Sequence, residues 1–198
     1  MKKVLLSAVA LLAFGFANAQ EEKSNGGFSK GDVFVTGAFT FGSTNDKDDE
    51  VKTNGFEIAP KIGYFLTENI AIGGKVGFSS SKTEDTGVDT KDLSGLTLGA
   101  FGRYYFTPAN QFSLYANLGF DYSSMKNNLP AGGKVNGFDA GLGAGMNYFV
   151  SSNFSIEAGV AVLGFSSEKS DATGAKGSTG FNFGGDWRAV TFGVNYKF

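Results

Sequence analysis

Apolar side chains recur at every second position through eight successive segments of this 198-residue chain. Successive side chains of a β-strand point to opposite faces, so a period of two predicts strands with one apolar and one polar face. The segments cover residues 33–41, 56–64, 70–78, 96–106, 112–122, 138–148, 154–162 and 190–198. Helical periodicity is absent after Gln20, and the predicted fold class is all-β.

The connections between these segments alternate in length. Three are short, at 66–69, 107–110 and 150–153, and four are long and polar, at 43–54, 79–92, 123–136 and 166–185. This pattern predicts an up-and-down antiparallel sheet with tight turns at one end and long loops at the other. Closing the sheet into a barrel leaves no unpaired edge.

The first residues have the composition of a secretory signal peptide. Lys2 and Lys3 precede an apolar run over 4–16, and Ala17-Asn18-Ala19 forms a small-residue cleavage site. The run is too short for a membrane-spanning helix, which needs about 20 residues. We therefore predict a signal peptide over 1–19, cleaved between Ala19 and Gln20. A flexible segment follows over 20–30 and a single barrel domain over 31–198.

Composition excludes several classes of function. The chain has neither Cys nor His, so it cannot form a thiolate nucleophile, a Ser-His-Asp triad or an ordinary zinc site. Its 17 basic and 19 acidic residues leave no basic surplus for binding nucleic acid. We therefore expect no enzyme, no cofactor, no resident metal and no nucleic-acid partner. A cation site formed by Asp121 and Asp139, at similar height on adjacent strands, stays a hypothesis.

Alternation alone fits both a soluble barrel with an apolar cavity and a membrane barrel with an apolar exterior. Two features favour the membrane barrel. The polar face is rich in glycine and charge, which suits a narrow lumen, and aromatic residues cluster near both ends of the apolar face. Eight segments of about ten residues also match the length that a tilted strand needs to cross a bilayer.

With this signal peptide, strand count, loop asymmetry and ending, the sequence resembles the small Gram-negative outer-membrane β-barrels of the OmpX, OmpW and opacity-porin kind. The resemblance implies a single closed eight-stranded transmembrane barrel, placed in the outer membrane by the barrel-assembly machinery. In that family the last strand carries the assembly signal, which matches Phe192, Val194, Tyr196 and Phe198 here. One departure is that Phe181, Phe183 and Trp187 have the opposite parity to Phe192, so either a bulge near 184–186 or a loop segment beyond the membrane is expected to absorb the shift.

Eight charged residues lie on the polar face and balance in sign. They are Glu57, Lys61, Lys75, Arg103, Asp121, Asp139, Glu157 and Lys197. Unpaired ions in a narrow lumen would carry a large desolvation cost, so we predict a salt-bridge network that plugs the barrel. Arg103 is expected at its centre, since a guanidinium can bind two carboxylates.

These observations predict an envelope-structural or surface-interaction protein of the outer membrane, with lipid around its wall and an extracellular ligand at its polar loops. A narrow pore for small solutes or ions is the first alternative. A soluble secreted lipid carrier is the second.

Overall fold

The computed structural model describes residues 26–37, 39–46, 50–130, 132–172, 174–184 and 190–198. These ranges contain antiparallel strands β1 (Val33–Gly37), β2 (Phe39–Asp46), β3 (Val51–Ile58), β4 (Lys61–Phe65), β5 (Ile70–Asp85), β6 (Val88–Tyr105), β7 (Phe112–Asn127), β8 (Lys134–Phe149), β9 (Phe154–Ser170), β10 (Ser178–Phe183) and β11 (Thr191–Lys197). Nowhere in this part of the chain is there a helix long and apolar enough to cross a membrane. The predicted signal peptide and its cleavage residues Ala17, Ala19 and Gln20 lie outside the described residues.

The eleven segments correspond to the eight predicted strands. β1 and β2 pair with β4 and β3 in one unbroken register, from Val33 opposite Tyr64 to Phe39 opposite Ile58. β3 and β4 are likewise one strand, interrupted at Pro60, which has no N–H to donate to a ladder. β10 and β11 both pair with β9 and form the last strand.

The strand pairings form a closed cycle that begins and ends at β1. In order, β1 pairs with β4, β4 with β5, β5 with β6, β6 with β7, β7 with β8, β8 with β9, β9 with β11, and β11 with β1. The result is a ring of eight antiparallel strands. Across the closing pair, Phe34 lies opposite Lys197 and Gly37 opposite Val194.

Most large apolar side chains face out of this ring, and its charged side chains with the lowest exposure face in. Phe39 is 58% exposed and Leu98 is 51% exposed, whereas Arg103 and Glu157 are 4% and 6% exposed. The apolar cavity that a lipid carrier requires is therefore not the arrangement seen here.

The four long polar loops predicted over 43–54, 79–92, 123–136 and 166–185 are wrong over most of their length, because these residues continue the strands. β6 alone has 18 residues, about 60 Å at the usual rise per residue. The polar side chains of these residues indicate that this part of each strand is in contact with water. They do not interrupt the backbone pairing between strands. The β5–β6 hairpin closes with two residues, Thr86 and Gly87, both with positive φ as a tight two-residue turn requires.

Cross-strand polar pairs accompany these strand extensions. The Lys82 ammonium lies 2.9 Å from the Asp89 carboxylate, and this contact raises the pKa of Lys82. The hydroxyl groups of Thr53 and Thr83 are 3.1 Å apart. Such exposed pairs contribute little to stability, and the extensions are held chiefly by their backbone ladders.

A register shift lies in β9, where the sequence did not predict one. Leu142 is opposite Leu163, while the next residue, Gly143, is opposite Ala161, so Val162 is the extra residue of a bulge. The residues between Phe183 and Phe192, where the parity change is expected, include 185–189, with Trp187, and these lie outside the described residues. Gly184 donates its backbone N–H to the Val162 carbonyl at 2.8 Å.

The buried core lies at the short-turn end, inside the ring. It contains Phe28, Phe34, Phe65, Ala71, Phe101, Tyr105, Tyr115 and Phe149. Phe28 departs from the prediction of a flexible segment over 20–30, because residues 26–28 are packed against the wall of the ring, whereas Ser29 and Lys30 are exposed and 20–25 lie outside the described residues. Polar composition around Phe28 concealed a single large apolar side chain whose burial stabilises the segment.

Candidate functional site

The site predicted from the sequence is the polar interior of the ring, and a buried ion pair lies at its centre. Arg103 on β6 and Glu157 on β9 are in contact across the lumen, with Arg103 Nη1 at 2.6 Å from Glu157 Oε2 and Nη2 at 3.1 Å from Oε1. This is the two-pronged geometry that guanidinium and carboxylate groups favour. Both side chains are almost completely buried.

Arg103 is held by neutral groups on its other sides. Its Nε donates to Asn117 Oδ1 at 2.9 Å, and its Nη1 donates to the Tyr105 hydroxyl at 3.3 Å. The guanidinium carbon lies 4.4 Å from the centre of the Tyr115 ring and 5.1 Å from that of Phe101. The predicted binding of two carboxylates is therefore replaced by one carboxylate, one amide and two aromatic faces.

An amide cluster continues the network toward the closing strands. Asn195 Nδ2 lies 3.3 Å from Glu157 Oε2, 2.9 Å from Asn147 Oδ1 and 3.1 Å from the Ser155 hydroxyl. Thr36 donates its hydroxyl to Asn195 Oδ1 at 2.6 Å. All five side chains are buried. Together with the ion pair, these contacts join β1, β6, β7, β8, β9 and β11 through the inside of the ring.

A second ion pair lies beyond this centre. Lys75 Nζ is 2.7 Å from Asp121 Oδ2, with about a fifth and a third of the two side chains exposed. Lys61 is directly opposite Lys75 on β4 and is half-buried, and within the described ranges it makes no salt bridge. Among the described interior charges, two separate ion pairs form, with Lys61 outside both, in place of one continuous network.

Glu57 and Asp139 differ from their predicted place in the lumen network. Both are exposed, and neither forms a salt bridge to any residue that the structure describes. Parity places both side chains on the inward face. They lie far enough along the axis of the ring for water to reach them. Asp139 is opposite Asp121 as expected, yet Asp121 is already bound to Lys75. Among the described residues no cluster of three or more acidic side chains is arranged to hold a metal.

Lys197, the last predicted member, lies at the short-turn end. Its Nζ donates to the Gly27 carbonyl at 2.6 Å and is 3.7 Å from Asp32 Oδ2. Lys197 therefore binds the segment that precedes β1. The parity analysis did not predict this contact. The residues matching the family's assembly signal lie on β11 and after it: Phe192, Tyr196 and Phe198 are exposed on the outer face, and Val194 is partly covered.

Sequence analysis missed the neutral members of the interior. Asn117, Asn147 and Asn195 share the inward parity of the charged residues, and this parity was the signal available to find them. The aromatic core had a signal too. A Tyr–Phe pair recurs at each short turn, and one ring of each pair points inward, namely Phe65, Tyr105 and Phe149.

The chemistry of this arrangement is structural. Both oxygens of Glu157 accept hydrogen bonds, and the Arg103 guanidinium is bound on several sides, so neither group is placed to exchange a proton with a substrate. Breaking the pair would leave a buried charge without a partner, which is costly. The site can therefore brace the ring from within.

Comparisons with known proteins agree with this architecture. A family model described as outer membrane protein beta-barrel domain matches residues 7–198. The outer membrane porin F of Pseudomonas fluorescens is 28% identical over 182 residues, covering 88% of this chain and 55% of that protein. The chain thus spans about half the length of the curated relative it matches.

Two solved structures are similar in fold. The outer membrane protein OprG of Pseudomonas aeruginosa matches 87% of this chain and 98% of its own, with a TM-score of 0.53 and 14% identity. Neisserial surface protein A matches 85% of this chain and 98% of its own, with a TM-score of 0.51 and 16% identity. At such low identity these likenesses concern the fold.

Proposed function

Because the chain belongs to the outer membrane protein beta-barrel domain family, we propose that it is an integral outer-membrane protein whose ring of strands is a closed transmembrane β-barrel. We further propose that it is a structural protein of the cell envelope. In this proposal its lumen is sealed and its polar extracellular surface is available for interaction. The relatives named above are proteins of bacterial outer membranes. The observation that carries the proposal is the inversion of polarity, with apolar side chains outside and a buried ion pair inside.

Lipid is the proposed partner of the outer face. Aromatic side chains lie near both ends of the apolar band, for example Phe112 and Tyr148 at the short-turn end and Tyr122 and Phe138 at the other, all at least two-fifths exposed. Aromatic residues favour the two bilayer interfaces. Between these ends Gly74 and Gly102 leave a shallow groove of about 630 Å³ in the outer surface, which acyl chains would fill.

A sealed lumen is supported by what occupies it. The Arg103–Glu157 pair and its amide partners cross the ring, and below them the aromatic core has ring centres 4.7 to 5.9 Å apart around Phe28 and Phe65. An eight-stranded barrel has an interior just wide enough for its own side chains. A narrow pore is the second candidate, and the named porin relative is the observation that favours it.

Conductance in planar lipid bilayers distinguishes the two candidates. We expect the purified, folded protein to show no steady single-channel current, because the lumen is filled by hydrogen-bonded and aromatic side chains. The folded state can be verified on an unheated gel, where a closed barrel migrates differently from its boiled form. Reproducible current steps from protein in the folded band would contradict the sealed barrel and support the pore.

The end of the chain is proposed as the signal for the barrel-assembly machinery. We expect removal of Phe198 to reduce the amount of folded protein in the outer membrane several-fold while leaving refolding in detergent close to normal, because Phe198 is 69% exposed and its ring packs against Tyr196, which is itself exposed on the outer face. A matched control is Phe106→Ala, which removes another exposed aromatic ring at the same end. Equal loss of folded protein in both variants would argue against a signal role.

The polar strand extensions are the proposed surface for an extracellular ligand. They rise beyond the apolar band as paired strands and present Ser, Thr, Lys, Asp and Glu side chains to water. A rigid paired surface binds with less loss of conformational entropy than a flexible loop. Since basic and acidic residues are interspersed there, we propose a polar ligand without a strong net charge.

A further inference from the structure

Phe28 is a side chain from outside the barrel strands that is completely enclosed by them. Its ring centre lies 4.7 Å from that of Phe65, 4.8 Å from Phe149, 5.3 Å from Phe34 and 5.4 Å from Tyr105. The Phe65 ring is stacked against it and the Phe149 ring meets it edge-on, both favourable aromatic geometries. The four surrounding rings, named here the aromatic pocket, come from β1, β4, β6 and β8.

The chain reaches this pocket through a passage that only glycine fits. A Cβ on Gly26 would overlap the Ser151 carbonyl oxygen, and one on Gly27 would overlap the Ala109 carbonyl oxygen. Ser151 and Ala109 belong to two of the short turns. Residues 26–28 therefore enter the ring between these turns, at the end opposite the polar strand extensions.

Polar contacts hold this entering segment to the barrel, and none of them belongs to a strand ladder. The Phe28 N–H donates to the Pro108 carbonyl at 2.7 Å, and Lys197 donates to the Gly27 carbonyl at 2.6 Å. The Asp32 carboxylate accepts from the Ser29 N–H at 2.9 Å. The pocket side chains, by contrast, sit on strands paired on both sides. Removing the segment would leave the pocket walls in place.

We propose that residues 26–30 are a plug and that the aromatic pocket is a binding site for planar aromatic groups, which the chain's own Phe28 occupies. The pocket is apolar on most sides. At one side it has the Tyr105 hydroxyl, which accepts a hydrogen bond from Arg103 at 3.3 Å. A flat ring of benzene or phenol size matches the space that Phe28 fills. When the plug leaves, such a molecule can take its place.

The test uses Phe28→Ala and the probe benzene. Loss of the buried ring should lower by about 10 °C the temperature at which half of the protein loses its folded band on an unheated gel. Saturating benzene should restore at least half of this loss, since apolar cavities of this kind bind benzene. The wild type, with its pocket filled, should not respond.

Three further variants complete the test. Gly27→Val should expel the plug while retaining Phe28, and we expect the same lowering and the same recovery with benzene. Gly37→Val is its matched control, because no atom lies within 4 Å of the added Cβ, and it should behave as the wild type. Phe106→Ala removes an exposed ring at the same end and controls for benzene dissolved in the detergent.

Three results would overturn the site. They are a Phe28→Ala protein as stable as the wild type, a destabilised Phe28→Ala protein that benzene does not stabilise, and an equal response to benzene in the wild type or in Phe106→Ala. None of these results bears on the sealed barrel, which the bilayer recordings of the wild type decide separately. If the Phe28→Ala protein does not fold, the Gly27→Val comparison carries the same test.

Discussion

Replacing Arg103 with Met should lower the free energy of unfolding by about 3–5 kcal/mol, the usual cost of removing one partner of a buried ion pair. Methionine fills much of the same volume, so the loss comes mainly from leaving the Glu157 carboxylate buried without its cation. Asn195 would remain as a donor to that carboxylate at 3.3 Å, but a neutral amide compensates for only part of the lost charge. Urea titration of the refolded protein in lipid vesicles measures this change.

The double variant Arg103→Met/Glu157→Gln is the decisive comparison. With both charges absent, the desolvation cost disappears and a glutamine can still accept from Asn195, so most of the lost stability should return. Lys75→Met provides a matched control. Its pair with Asp121 is partly open to water, and we expect a loss of about 1 kcal/mol or less. Equal losses for Arg103→Met and Lys75→Met would show that the Arg103–Glu157 pair is not the brace of the lumen.

Replacing Leu118 with Arg should destabilise the protein in lipid vesicles by about 2–4 kcal/mol, the cost of a cationic side chain on the lipid face near the bilayer midplane. Leu118 is exposed on β7, between the aromatic residues Phe112 and Tyr122 at the two ends of the apolar band. A charge at this depth must lie in hydrocarbon or distort the bilayer to reach water.

Val88→Arg is the control for the lipid-facing substitution. Val88 is 64% exposed and follows the Thr86–Gly87 turn, at the tip of a strand extension. A charge there should change the stability by less than about 0.5 kcal/mol. If Leu118→Arg were as mild as Val88→Arg in vesicles, the outer face would not contact lipid tails, and the transmembrane barrel would be wrong.

The sequence predicts which face of a strand a residue lies on better than it predicts the position and partners of that residue in the folded ring. Parity separated Leu98 from Arg103 correctly, because a paired strand forces adjacent side chains to opposite faces. Parity gives no height along the barrel axis, and for this reason Glu57 and Asp139 were grouped with deeply buried charges although water reaches both. The carboxylate partner of Arg103 was likewise beyond prediction, since Glu157 comes from β9, which the chain order does not make a neighbour of β6, whereas Asn117 lies directly opposite Arg103 on the next strand.

The polar strand ends show a different limit. Ser, Thr, Lys and Asp over 79–92 have the composition of a loop, yet they form the upper part of β5 and β6. Backbone hydrogen bonds do not require apolar side chains, so a ladder started in the apolar band can continue into water as long as its neighbour continues too. The change from apolar to polar composition marks where the apolar band ends. The prediction took this change for the end of the strand.

The sequence by itself determined the all-β class, the eight strands and the separation of outward apolar residues such as Leu98 from inward charged residues such as Arg103, because these follow from a period of two that is local to each strand. Only the tertiary structure decided which inward residues meet, that Arg103 binds one carboxylate and an amide, and that Phe28 enters the barrel from outside its strands. Such contacts depend on the curvature and stagger of the closed ring. A contact across the lumen joins residues far apart in the chain, and no local pattern records it.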